Sequence, residues 1–174
     1  GGITRMRGAV EMLRALGKAD ARMILAGPME SDELHAELAA MPAWSRVDYR
    51  GVLDRAAIRD VLHESQLGLV LLHPVPNYLD ALPVKMFEYM AAGLPVLASD
   101  FPLWRGILEA SGAGTCVDPL DTDRIAQAID AMLDLPDADR QRMRSACRAA
   151  VRDSYSWKNE EAKLVSAYAA IAAP

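Results

Sequence analysis

Cysteine is scarce in this chain of 174 residues, with Cys116 and Cys147 the only two, so a disulfide framework is not expected. Cys116 falls in an apolar run and Cys147 in a helical one, and both read as reduced thiols of a cytoplasmic protein. No stretch approaches the roughly 20 apolar residues of a spanning helix, and no charged segment followed by an apolar one opens the chain. Basic residues are outnumbered, 19 lysines and arginines against 24 acids, and the net charge of -5 removes any electrostatic reason to expect nucleic acid. His35, His63 and His73 share no metal-ligand spacing, so no metal is expected. A P-loop is excluded because no Gly-Lys-Ser/Thr occurs, and Gly1-Gly2 with Gly8 does not form the G-x-G-x-x-G fingerprint of a dinucleotide site.

Hydrophobic residues make up 52% of the chain, enough for one full core, and a single domain over 1–174 is expected. Apolar runs rich in Val, Ile and Leu alternate with amphipathic segments, which is the mark of parallel strands joined by crossover helices. Strands are expected at 22–26, 47–50, 67–72, 95–98 and 114–117, and helices at 7–16, 32–41, 54–63, 83–92, 103–109 and 121–133. The order predicts an α/β fold with a doubly wound, Rossmann-like parallel sheet, whose ligands bind beyond the carboxyl ends of the strands. Two further helices follow at 137–152 and 157–172; Trp157, Leu164, Val165, Tyr168 and Ile171 give the second an apolar face that must pack on the sheet or on a neighbour. Gly1-Gly2-Ile3-Thr4 reads like the end of a strand and the turn after it, so the chain is expected to be a fragment of a longer protein.

The segment from Asp80 to Asp100, DALPVKMFEYMAAGLPVLASD, concentrates the chemistry. Pro83 reads as the first residue of a helix, leaving the amides from Leu82 through Val84, Lys85 and Met86 free to meet a phosphate at the positive dipole end. Lys85 adds a full charge, and Glu88, one turn on, shares its face and could accept two ribose hydroxyls. Asp80 stands at the mouth of the same cleft and could hold sugar hydroxyls. A nucleotide sugar fits that set, although Lys85 and Glu88 could also form an ordinary surface pair while Asp80 only shapes the turn.

LPVKMFEYMAAGLPVLASDFPLW resembles the donor-site signature of GT-B-type retaining glycosyltransferases (group 1, family 4-like), particularly those building bacterial surface polysaccharides. The resemblance covers nearly the whole chain and implies the C-terminal half of a GT-B fold. It implies that Glu88 binds the donor ribose, that Asp80 contacts the transferred sugar, and that Lys85 and the Ala81, Leu82 and Val84 backbone meet the diphosphate. Asp80 stands where the family has a glutamate, one methylene longer. The opening GGITRMRG resembles the family's first loop, with Gly1 and Gly2 approaching phosphate and Arg7-Gly8 supplying an arginine clamp. Gly2 stands where the family often has an arginine, for which Arg5 could substitute or else face solvent. Leu53, after Tyr49-Arg50-Gly51, is a candidate contact for the base, or core packing.

The implied activity is metal-independent, retaining transfer from a nucleotide-diphosphate sugar to a glycan or lipid-linked acceptor held by an N-terminal domain outside this chain, with no cofactor. An apolar, basic surface on that domain would place the full-length protein at the inner membrane face. A nucleotide-sugar epimerase and a non-catalytic nucleotide-binding module are the alternatives. Asp121-Thr122-Asp123 has the form of a metal-binding pair but opens a helix, so Asp121 reads as an N-cap. Trp104 and Arg105 could line the cleft rim, although Trp104 reads more readily as packing between domains, and His73 at a strand end points toward the cleft or is satisfied within its loop.

Overall fold

The computed structural model describes residues 1–172 and places five short parallel strands among helices in an α/β arrangement. The strands are β1 (Met23–Leu25), β2 (Val47–Tyr49), β3 (Gly68–Val70), β4 (Val96–Ser99) and β5 (Gly114–Val117). The expected strand positions all hold, with β1, β2 and β3 trimmed at their ends, β4 shifted by one residue and β5 as expected.

The sheet, however, comes in two pieces. β1 pairs with β2, and β3, β4 and β5 pair in that order, with no ladder joining β1 to β3. The expected α/β fold with parallel strands and flanking helices holds, its ladders falling into two parallel parts.

Successive side chains of a strand point to opposite faces, and the core follows that rule. Val70, Val96 and Ala98 pack with Met86, Met90, Trp104 and Cys147, under helices α5 (Val84–Ala92), α6 (Pro102–Ser111) and α8 (Asp137–Asp153). Leu71 and Leu97 pack on the other face with Ala15, Ile125 and Ile129, under α1 (Ala9–Leu16) and α7 (Thr122–Leu133). Helix α1 also turns Leu13 and Leu16 toward Met23, Leu25 and Leu34, the last from α2 (Asp32–Ala39). One helix therefore bridges both parts of the sheet.

Several local details differ from the sequence expectation. The helix expected over 7–16 is divided: Arg5–Arg7 forms a single 3-10 turn, Gly8 turns left-handed at φ 70°, and α1 begins at Ala9. Thr4 caps that turn by accepting the Arg7 amide on Oγ1. A short helix α4 (Pro76–Leu79) precedes Asp80, and a 3-10 turn spans Pro42–Arg46. Helix α3 (Arg55–Glu64) is capped by Asp54, whose Oδ1 accepts the Ala57 amide at 2.8 Å. The last helix, α9 (Trp157–Ala172), does not lay its apolar face on the sheet, since Trp157 and Ile171 are 72% and 81% exposed.

Both cysteines are free thiols. Burial, the largest cause, pushes Cys147 up to about 11 and Cys116 up to about 12, so neither is a reactive thiolate near neutrality. Among the described residues no helix is long and apolar enough to cross a membrane.

Candidate functional site

The loop of Gly1 to Gly8 meets the residues that follow β1 and β3, since Ile3 donates to the Pro28 carbonyl and His73 to the Met6 carbonyl, each at 2.9 Å. An ideal Cβ on Gly1 would lie 3.6 Å from Lys85 Cδ and 3.8 Å from Arg7 Nη1. Arg7 in turn donates from Nη1 to the Gly2 carbonyl at 3.3 Å, which holds its guanidinium against the glycine pair. Gly1, Gly2, Arg7 and Lys85 thus form one cationic group whose backbone part carries no side chain.

The electrostatics reflect that crowding. Burial first, and then the Arg7 guanidinium, lower the pKa of Lys85 below its ordinary 10.5, while Glu88 opposes them. Among the described residues no ion pair joins Lys85 to Glu88, so the ordinary surface-pair reading does not hold. Half-buried beside a second cation, the lysine has an excess of positive charge at hand. An anion entering there would relieve it.

Helix α5 starts one residue later than expected, with Pro83 as its N-cap at φ -75° and ψ 117°. The Met86 amide is not free, because it donates to the Pro83 carbonyl at 3.0 Å. Among the described residues the amides of Leu82, Val84 and Lys85 have no partner, and Leu82 and Val84 are 54% and 69% exposed. Two first-turn donors plus Leu82 therefore point outward at the positive end of the helix.

Glu88 and Leu53 are brought to one cavity of about 650 Å³, together with Gly1, Gly27, Val52 and Ile58. A carboxylate, an apolar wall and Gly1 stand on its sides, while Gly2, Arg7 and Lys85 line the adjoining cavity, which Gly1 also borders. Asp80 caps α4 and is exposed, but lines neither this cavity nor the one beside it.

Two expected contacts are corrected by their partners. Ala81 donates its amide to the Tyr78 carbonyl at 3.3 Å and accepts Trp104 Nε1–H on its carbonyl at 2.6 Å, so it has no free amide for phosphate. Arg5 is turned outward into an ion pair with Glu37 on α2, while its amide donates to Glu30. That pairing keeps Arg5 out of the cationic group, and it lines neither cavity.

Trp104 is likewise no rim residue: it is fully buried with its ring centroid 4.6 Å from that of Phe101. Its indole N–H instead anchors the loop that leads into α5. Trp104→Phe keeps an aromatic ring but removes the N–H and strands the Ala81 carbonyl, and that loss should cost about 1–3 kcal/mol in denaturant unfolding, with the space left by the smaller ring adding to it. Faster exchange of the Ala81 amide, which donates to the Tyr78 carbonyl, should accompany it.

His73 places Nε2 3.0 Å from Glu11 Oε2 and donates its amide to the Met6 carbonyl at 2.9 Å. It ties α1 and the glycine loop to the end of β3. Asp121 caps α7 by accepting the Asp123 and Arg124 amides, as expected. Among the described residues no group of three or more His, Cys, Asp or Glu is placed for a metal ion.

Sequence reasoning missed Gly27-Pro28, which border the larger cavity, and Val52, which is 76% exposed there. The signal was present, since a glycine directly after an expected strand lies where such sheets bind ligands. Gly27 sits at φ 144°, and a Cβ there would overlap the Gly1 carbonyl, so the two backbones touch.

Residues 1–150 match the family described as glycosyl transferases group 1, and the chain belongs to that family. A comparison with curated proteins gives no match. Among solved structures, sucrose-phosphate synthase from Thermosynechococcus elongatus superposes with a TM-score of 0.84 at 20% identity, over 98% of this chain and 44% of that one. The C-terminal domain of a glycosyl transferase group 1 protein (LpcC) from Francisella tularensis gives 0.73 at 17% identity, over 90% and 84%. HepE of Anabaena, solved in complex with UDP, gives 0.76 at 20% identity, over 96% and 47%. This chain thus spans under half the length of two of these three proteins, and at such identities the likeness is one of fold.

Proposed function

We propose that this chain is the donor-binding domain of a glycosyltransferase that takes a sugar from a nucleoside diphosphate and passes it to a glycan or lipid-linked acceptor on another domain. The observation that carries the reading is the convergence of Gly1, Gly2, Arg7 and Lys85 on the open start of α5. Glycines let a diphosphate approach backbone, while a guanidinium and an ammonium meet its charge. The free amides of Val84 and Lys85 add the helix dipole. In this reading Glu88 takes the ribose hydroxyls and Leu53, with Val52 and Ile58, takes the base. Asp80, exposed between α4 and α5, reaches the transferred sugar.

In the reaction the bond from the anomeric carbon to the diphosphate breaks, and its electron pair leaves on phosphate oxygen. The acceptor hydroxyl oxygen forms the new bond and gives up its proton to the departing diphosphate. Arg7, Lys85 and the amides stabilise the departing charge, and removal of one such preorganised donor typically costs ~2.7–4 kcal/mol. These cations do the work a metal would do, so chelation by EDTA should leave donor binding unchanged. Retention at the anomeric carbon, and work by the longer protein in the cytoplasm at the inner membrane face, belong to the same proposal.

Thermal shift with UDP-, GDP- and ADP-sugars tests it: one nucleotide should raise the melting temperature, and a flat panel would contradict it. The pH dependence follows from Lys85, whose charged form holds phosphate. Affinity should be full below its depressed pKa and fall as pH rises through that value, short of 10.5. In Lys85→Ala this inflection should vanish. Stability runs the opposite way, because a base with a depressed folded pKa is a cost while charged, relieved as pH rises toward the unfolded value.

A further inference from the structure

The peptide group between Ala81 and Leu82 is held from one side only. Its carbonyl accepts Trp104 Nε1–H at 2.6 Å, while its N–H, that of Leu82, has no partner among the described residues. Both ends lie in one plane, and because the bond is trans, the carbonyl and the N–H point in opposite directions. Trp104 is fully buried, whereas Leu82 is 54% exposed. A carbonyl aimed into the core therefore aims the Leu82 N–H out of it, beside the start of α5.

The neighbouring residues are fixed on either side of that plane. Pro83 sits at φ -75° as the N-cap of α5, and a residue before proline is confined to extended conformations, which restrains the far side of Leu82. On the near side Asp80 caps α4 at φ -107° and ψ 5°, and the Ala81 amide closes on the Tyr78 carbonyl at 3.3 Å. Rotation of the plane itself, through ψ of Ala81 and φ of Leu82, is the freedom that remains. The indole N–H removes it.

The indole cannot follow such a rotation. Trp104 packs in one core with Met86, Met90, Val96 and Ala98, and its ring centroid lies 4.6 Å from that of Phe101, the N-cap of α6. A large ring in a close-packed interior keeps one rotamer. Met86 and Met90 belong to α5, so the peptide is registered against the same helix whose free amides it precedes. The bond at the carbonyl also polarises the peptide group and strengthens its N–H as a donor.

We propose, resting on the donor-binding reading, that Trp104 is a positioning residue. Without touching the ligand, it turns the Leu82 amide outward as a third donor, beside those of Val84 and Lys85, for an oxygen of the nucleoside diphosphate.

Titration of the isotopically labelled chain with UDP, GDP and ADP tests this on two resonances. With the tightest of the three, the Leu82 amide should shift, and so should the Trp104 indole N–H, which is buried too deeply to meet the ligand. Replacing the Trp104 indole alone by its benzothiophene isostere, with sulfur where the N–H stood, keeps the ring's shape and removes the donor. Affinity should fall about 3- to 10-fold, the usual worth of one hydrogen bond, and the Leu82 response should shrink while those of Val84 and Lys85 persist. Trp104→Phe should repeat the pattern. An isostere that binds within about twofold of wild type with the Leu82 response intact overturns the inference. So does a loss spread equally over Gly2, Leu82, Val84 and Lys85, the mark of a purely structural role. In the wild type, responses at Val84 and Lys85 with silence at Leu82 and the indole overturn it while the donor reading stands. Silence at all of them contradicts both.

Discussion

Lys85→Ala should weaken nucleoside diphosphate binding about 10- to 150-fold, the ~1.5–3 kcal/mol of a hydrogen bond to a charged group. The folded chain should lose no stability with it. Burial and Arg7 both oppose the Lys85 charge in the free protein, so its removal takes away a cost as well as a side chain. Binding and stability therefore move apart, as they do where a site holds an unfavourable charge for a ligand. Arg5→Ala is the matched control. Its guanidinium is spent on Glu37 at an exposed site, and both binding and stability should change less than about twofold. Isothermal titration with UDP, GDP and ADP, beside a urea melt of each variant, reads both quantities.

Gly8→Ala should be a strongly damaging single methyl, because position 8 combines a left-handed backbone with a backbone collision. Gly8 sits at φ 70° and ψ 24°, where it joins the 3-10 turn of Arg7 to α1. A Cβ there would overlap the Leu71 carbonyl oxygen, which is backbone and cannot rotate aside. The left-handed conformation alone costs a non-glycine residue ~1–3 kcal/mol, and the collision adds to it. A total of about 3 kcal/mol or more corresponds to roughly 6–12 °C in melting temperature for a chain of this size. Arg7 lies next to the distorted residue, so donor binding should fall along with stability. A melt that shifts by less than ~2 °C would mean that α1 can back away from β3.

Much of the fold was legible because period decides it. Runs such as 95–98 and 114–117 are apolar, short and bounded by glycine or proline, and they become β4 and β5. The break in the sheet was not legible from period, because it depends on what lies between β1 and β3 and not on the strands themselves. Lys85, Arg7 and the glycine pair were legible as a group, since a basic residue at a helix start and a glycine-rich loop after a strand end fall at the same edge of such a sheet. Arg5 was not, because only tertiary structure places Glu37 opposite it. Ala81 was misjudged for the same reason: an indole N–H 23 positions away claims a carbonyl that the sequence leaves free.

The account rests on one anion cradle formed by the glycine loop, Lys85 and the start of α5. Titration of the isotopically labelled chain with the tightest of UDP, GDP and ADP tests it most directly, by following the amides of Gly2, Val84 and Lys85. The account predicts that these three shift together and saturate, and that the shifts disappear in Lys85→Ala. Saturable shifts confined to other residues, or none up to about 1 mM ligand, a free energy near -4.1 kcal/mol, would contradict it.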